Sequence, residues 1–138
     1  MSKLIQQLKR HEGLRLKPYK CTMGYDTIGY GRNLETNGIS EDEAETLLAN
    51  DVFKVMEQLA DRGLLQDHTK PRQDVLVNMA FQLGVSGLLK FKNMIAALDD
   101  KDYKRASVEM LDSQWAKQTP NRANELAKQM RHGDYCGE

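Results

Sequence analysis

The sequence predicts an α+β fold, mostly helical, with a small N-terminal β-hairpin sheet lobe and a helical C-terminal lobe joined by a long helix. Three observations predict it. Apolar residues recur at helical spacing through most of the chain after residue 46. Glycines punctuate a short Tyr/Ile/Thr stretch between residues 14 and 34, the pattern of hairpin strands with glycine turns. Pro71 and Pro120 sit where helices begin, in first-turn positions. With 138 residues and 40% hydrophobic content, such a chain buries roughly 68% of its unfolded surface without disulfide or metal. It reads as one domain, 1–138, made of a helix-plus-hairpin lobe (1–36), a connecting helix (37–62) and a helical lobe (63–138).

Each element has a local reason. Leu4, Ile5 and Leu8 form an apolar stripe on an opening helix that Gly13 stops, which leaves Glu12 at or just beyond the last turn. Residues 14–34, LRLKPYKCTMGYDTIGYGRNL, give two or three short strands turned at Gly24, Gly29 and Gly31. Ser40-Glu41-Asp42-Glu43 is a capping box, in which the Ser40 hydroxyl and the Glu43 carboxylate satisfy each other's backbone amides. The long helix that follows carries Leu47, Leu48, Val52, Val55, Met56 and Leu59 on one face and ends before Gly63. Pro71 opens a central helix with Val75, Leu76, Met79, Ala80 and Leu83 on its buried face and Gly84 at its end. Shorter helices are expected at Phe91–Leu98 and Tyr103–Leu111, and Thr119-Pro120 caps and opens the last helix through Leu126 and Met130.

Charge and cysteine content exclude several classes. Lys+Arg and Asp+Glu both number 20, so neither nucleic acid nor membrane insertion is expected of the chain. The balance is uneven locally: residues 1–34 net +5, residues 35–67 net −7 and residues 68–138 net +2. The basic stretch either pairs with the acidic one as solvated faces or lines a cleft for an anionic polymer. Cys21 and Cys136 make no disulfide framework, and His11, His68 and His132 show no metal-ligand spacing, so no cofactor is expected. The N-terminus reads as neither signal peptide nor anchor, and cytoplasmic synthesis is expected.

Glu12 is the one carboxylate among Lys9, Arg10, Arg15 and Lys17. Taken alone it reads as a surface ion pair. Eight residues separate it from Cys21 and five separate Cys21 from Thr27. A helix followed by a hairpin can bring these three side chains to one concave face. The segment HEGLRLKPYKCTMGYDTIGYGRNL resembles the active-site segment of phage-type lysozymes, the endolysins of glycoside hydrolase family 24, whose pattern is Glu, eight residues, Asp or Cys, five residues, Thr. The resemblance continues through residues 37–52, 78–87 and 113–123 in family order, and is strongest to T-even phage members.

The resemblance implies a lysozyme-like catalytic domain that hydrolyses the β-1,4 bond between N-acetylmuramic acid and N-acetylglucosamine in bacterial peptidoglycan. Glycoside hydrolysis needs an acid at the leaving oxygen and a group on the opposite face that activates water or stabilises positive charge. By resemblance Glu12 is the acid, its partial burial keeping it protonated, while Cys21 takes the second carboxylate's place and Thr27 helps hold water. Cys21 is left as base, nucleophile or water-orienting group, with Lys20 and Arg15 available to lower its pKa. Phe81 and Gln82 match a substrate-contacting motif, although spacing alone allows Phe81 in the core. Trp115 reads as a packing anchor. Arg32 stands where the family often has His and inherits no role, and Asn33 replaces an apolar cleft residue. The resemblance further implies a holin-type permeabilising partner, action on the wall from the host cytoplasm, and a monomer. Two alternatives stand beside it: a Cys21-dependent amidase or peptidase with His68 or His132 as base, and a non-catalytic glycan-binding virion component.

Overall fold

The computed structural model describes residues 2–135. In chain order it contains α1 (Ser2–Glu12), β1 (Arg15–Lys20), β2 (Asp26–Gly29), β3 (Arg32–Asn33), α2 (Leu34–Asn37), α3 (Glu41–Asp61), α4 (Lys70–Leu89), α5 (Lys92–Asp99), α6 (Tyr103–Leu111), α7 (Gln114–Gln118) and α8 (Pro120–His132). This is the expected mostly helical α+β fold with one small sheet. The chain forms two compact units, Met1–Leu47 and Leu48–Glu138. Cys136 lies outside the described residues. Among the described residues no helix is long and apolar enough to cross a membrane.

In the N-terminal unit, α1 stops because Gly13 adopts φ +70, from which its amide bonds to Lys9 O at 3.0 Å. No residue of α1 is buried, and the stripe of Leu4, Ile5 and Leu8 is exposed. The strands form an antiparallel sheet in the order β1-β2-β3. Thr27 pairs with Tyr19 on one side and Asn33 on the other. The β1–β2 register shifts between Arg15 and Tyr19, where Pro18 has no amide to give the ladder. Asn33 accepts the Thr36 amide through its side chain and so caps α2, an element not expected from the sequence. The capping box forms as expected: Ser40 N donates to Glu43 Oε1 at 2.8 Å and Glu43 N to Ser40 Oγ at 3.1 Å.

In the C-terminal unit the core is built on Leu59, Val75, Leu76, Met79, Leu88, Met94, Met110 and Met130, all fully buried. The flexible, unbranched methionines suit the irregular gaps between these short helices. Of the face expected on α3, only Leu59 is buried, and Leu48 is exposed. Gly84, expected to end α4, instead interrupts it at φ 79 and ψ 159, after which the helix resumes to Leu89. The final turn continues because Leu88 reaches the core. Thr119 does not cap α8 with its side chain, because its hydroxyl already donates to Trp115 O at 3.0 Å, closing the α7 turn. Ser113 caps α7 instead, accepting the Ala116 amide at 3.1 Å. Arg72 of α4 donates to Met130 O at 2.7 Å and Arg131 O at 3.0 Å, satisfying the last carbonyls of α8. Tyr103 lies beneath its guanidinium, 3.6 Å from Cζ to the ring centroid.

Candidate active site

Residues 21–25 form the turn between β1 and β2, closed by Cys21 N to Tyr25 O at 3.0 Å and Gly24 N to Cys21 O at 2.8 Å. Gly24 at φ +83 supplies the conformation this closure needs. Cys21 is half-buried at the start of this turn. Hydrogen bonding from the Tyr25 amide, then from that of Met23, holds its pKa below the ordinary value of 9.0, against a smaller opposing effect of burial. The cations expected to do this are occupied elsewhere: Lys20 pairs with Asp26 at 2.7 Å, and the Arg15 guanidinium lies 4.9 Å from the Tyr19 ring centroid. The electropositive surroundings of the thiol come from main-chain dipoles, which no residue pattern signals.

Thr27 is the buried member of the three, 3% exposed at the centre of the sheet. Its hydroxyl donates to Tyr25 O at 2.9 Å, so its oxygen keeps lone pairs able to accept from water. The same hydroxyl lies beside Cys21 and adds a smaller lowering there. Cys21 and Thr27 thus share the Tyr25 main chain as a common support.

Glu12 is exposed at the end of α1. The burial expected for it is not supplied, because no neighbour in its unit covers it as the core covers Leu59. Nor is it the surface ion pair that its basic neighbours suggested, since among the described residues it makes no hydrogen bond or salt bridge. Its carboxylate packs on the main chain of Gly31, where a built Cβ would lie 2.6 Å from Oε2.

Arg32, which inherits no role from the resemblance, holds the start of β3. It donates from Nη1 to Gly38 O at 3.0 Å and Glu43 Oε1 at 2.9 Å, and from Nη2 to Glu43 Oε2 at 2.7 Å. This fork, with the Ser40 amide, lowers the Glu43 pKa to about 2.

In the C-terminal unit Phe81 is 43% exposed and is not a core residue. It lines a groove of about 280 Å³ with Leu48, Val52, Met56 and Val77, edged by Arg122 and Asp74. Gln82 accepts the Trp115 indole N–H at 2.8 Å, and its NH₂ group takes no partner among the described residues. Trp115 is 5% exposed and meets Phe91 edge-on at 5.9 Å, the packing role expected. His68 bonds Tyr103 through Nδ1 at 2.8 Å, and burial beside Lys101 and Arg72 lowers its pKa. Among the described residues no group of three or more His, Cys, Asp or Glu is placed to hold a metal.

A helix ending in Glu12, a three-stranded sheet with Cys21 in its first turn and Thr27 at its centre, and a helical remainder make up an α+β domain of lysozyme-like architecture. Residues 9–132 match the phage lysozyme family, and the chain belongs to that family. It is 29% identical to probable T4-type lysozyme 1 of Dictyostelium discoideum over 96% of both chains. It is 31% identical to an endolysin of Acyrthosiphon pisum secondary endosymbiont phage 1, covering 83% of this chain and 77% of that one. Similarity to the pre-baseplate central spike protein Gp5 of Enterobacteria phage T4, 32% identical, covers 89% of this chain but only 26% of the relative's length.

Proposed function

We propose that the protein cleaves peptidoglycan glycan strands as a muramidase, at the β-1,4 bond between N-acetylmuramic acid and N-acetylglucosamine, in host cell lysis. The observation that carries the reading is the Cys21–Tyr25 turn, which holds a half-buried thiol and the buried Thr27 hydroxyl on the same Tyr25 main chain. A thiolate stabilised in this way can accept a proton from water. Thr27 Oγ accepts the water's second hydrogen, leaving an oxygen lone pair for the anomeric carbon. Glu12 gives its proton to the departing glycosidic oxygen.

Phe81 offers a ring face to a sugar, and the free NH₂ of Gln82 donates to a glycan or peptide oxygen. The net +5 of residues 1–34 favours an anionic wall polymer. The relatives named endolysin and lysozyme support wall degradation as the role. Release to the wall from the host cytoplasm then calls for a holin-type permeabilising partner, and the chain acts as a monomer.

The test is clearing of permeabilised Gram-negative cells, with analysis of the digested wall. Wild type should clear the suspension and create reducing sugar ends at muramic acid without new amino groups, and Glu12→Gln should abolish both. New amino groups, or clearing by Glu12→Gln at the wild-type rate, would reject the reading.

A further inference from the structure

We propose that the Tyr30–Gly31–Arg32 turn positions the Glu12 carboxylate, with Gly31 as its seat and the Arg32–Glu43 pair as the clamp that fixes the seat. The proposal rests on Glu12 being the acid, and it assigns positioning roles to residues that touch no substrate.

Glu12 has no polar partner among the described residues, so steric contact sets where its carboxylate lies. That contact is Gly31. A Cβ at position 31 would stand 2.6 Å from Oε2, 3.0 Å from Cδ and 3.3 Å from Cγ, so any side chain there moves the carboxylate. One turn earlier on α1, Lys9 Nζ lies 5.5 Å from the centroid of the Tyr30 ring, so the helix end meets this turn at two consecutive residues.

The turn needs external support. β3 is only two residues long and pairs with β2 through Thr27–Asn33 and Ile28–Arg32, too little strand to hold a turn by itself. The Arg32 fork to Glu43 and Gly38 ties it to the capping box of α3. Because Thr27 lies on β2 of the same hairpin, the clamp also fixes the spacing between the acid's seat and the residue proposed to hold water.

Gly29 provides a matched control. It has φ +70 against +75 for Gly31, yet a Cβ there meets nothing within 4 Å. Asn tolerates this backbone region better than most residues, so Gly29→Asn and Gly31→Asn impose similar backbone strain and only the second displaces Glu12. With soluble glycan strands as substrate, Gly31→Asn should lose kcat on the order of 10²-fold, with KM within about twofold of wild type, while Gly29→Asn stays near wild type. Arg32→Met should lose kcat on the order of tenfold, and Arg32→Lys should recover part of it. Equal kcat for the two Asn variants overturns the seat, and wild-type kcat in Arg32→Met overturns the clamp. If Gly31→Asn does not fold by circular dichroism, the Arg32 variants decide alone. Glu12→Gln is assayed alongside: if it retains activity, the acid assignment itself is wrong.

Discussion

Gln82 stands at a motif that the resemblance gives to substrate, yet its amide oxygen is committed to Trp115. Replacing Gln82 by Leu leaves the indole N–H, in a residue 5% exposed, without its 2.8 Å acceptor. A buried donor stripped of its partner costs about 1–3 kcal/mol. For a chain of this length that corresponds to a Tm lowered by roughly 3–6 °C per kcal/mol. Gln82→Glu retains a carboxylate oxygen for the indole and should keep most of the stability, while losing the NH₂ that faces outward. Urea unfolding followed by far-UV circular dichroism on wild type, Gln82→Leu, Trp115→Phe and the double variant closes a cycle whose coupling term should be about 0.5–2 kcal/mol. If Gln82→Leu stays within about 0.3 kcal/mol of wild type, or the two changes add without coupling, the hydrogen bond is not what holds Trp115. If Gln82→Glu is both stable and normal in KM, the substrate contact is wrong instead.

Iodoacetamide should alkylate Cys21 with a rate midpoint below the ordinary thiol value of 9.0, because the Tyr25 and Met23 amides favour the thiolate; full activity after confirmed alkylation removes Cys21 from the chemistry. Glu43, at about 2 instead of 4.5, stabilises the fold fully above pH 4.5 and loses that contribution as the pH falls toward 2; acid titration of Glu43→Gln by circular dichroism should therefore show a shallower loss over that window than wild type. Arg72→Met frees two α8 carbonyls and the Tyr103 ring face, and should cost about 1–3 kcal/mol in urea unfolding; wild-type stability would show that water replaces the guanidinium at no cost.

Local signals in the sequence were legible where a residue type has one dominant physical use. Gly13 and Gly63 stop helices, Ser40 and Glu43 cap one, and the glycines of residues 24–31 turn strands. Thr119 misled because a hydroxyl before a proline has two uses, and the Trp115 carbonyl claimed it. Gly84 misled for a related reason: glycine breaks helical geometry, but burial of Leu88 made it worthwhile for the helix to resume. At the candidate site, Glu12, Cys21 and Thr27 were visible as a spacing. The amides of Tyr25 and Met23 were not, since main-chain donors are shared by every sequence. Arg32 was visible but unread, because its partner Glu43 lies eleven residues away in a segment already explained as a cap.

That distribution bears on why a thiol can stand at position 21. A carboxylate and a thiolate differ in basicity and shape, but both are anions that accept hydrogen bonds. The turn from Cys21 to Tyr25 is closed by main-chain bonds and by Gly24 at positive φ, none of which depends on the side chain at 21. The main chain of residues 21–25 therefore keeps the same support for whatever anion occupies that position. A site whose electrostatic support is main chain accepts a change of charged side chain that a site built from a paired Arg or Lys would not, because a fork fitted to a carboxylate is geometrically specific. On this account the turn accepts either Asp or Cys at position 21. The less forgiving position is Thr27, buried between two strands, where a larger or charged side chain would have to break the sheet that carries it.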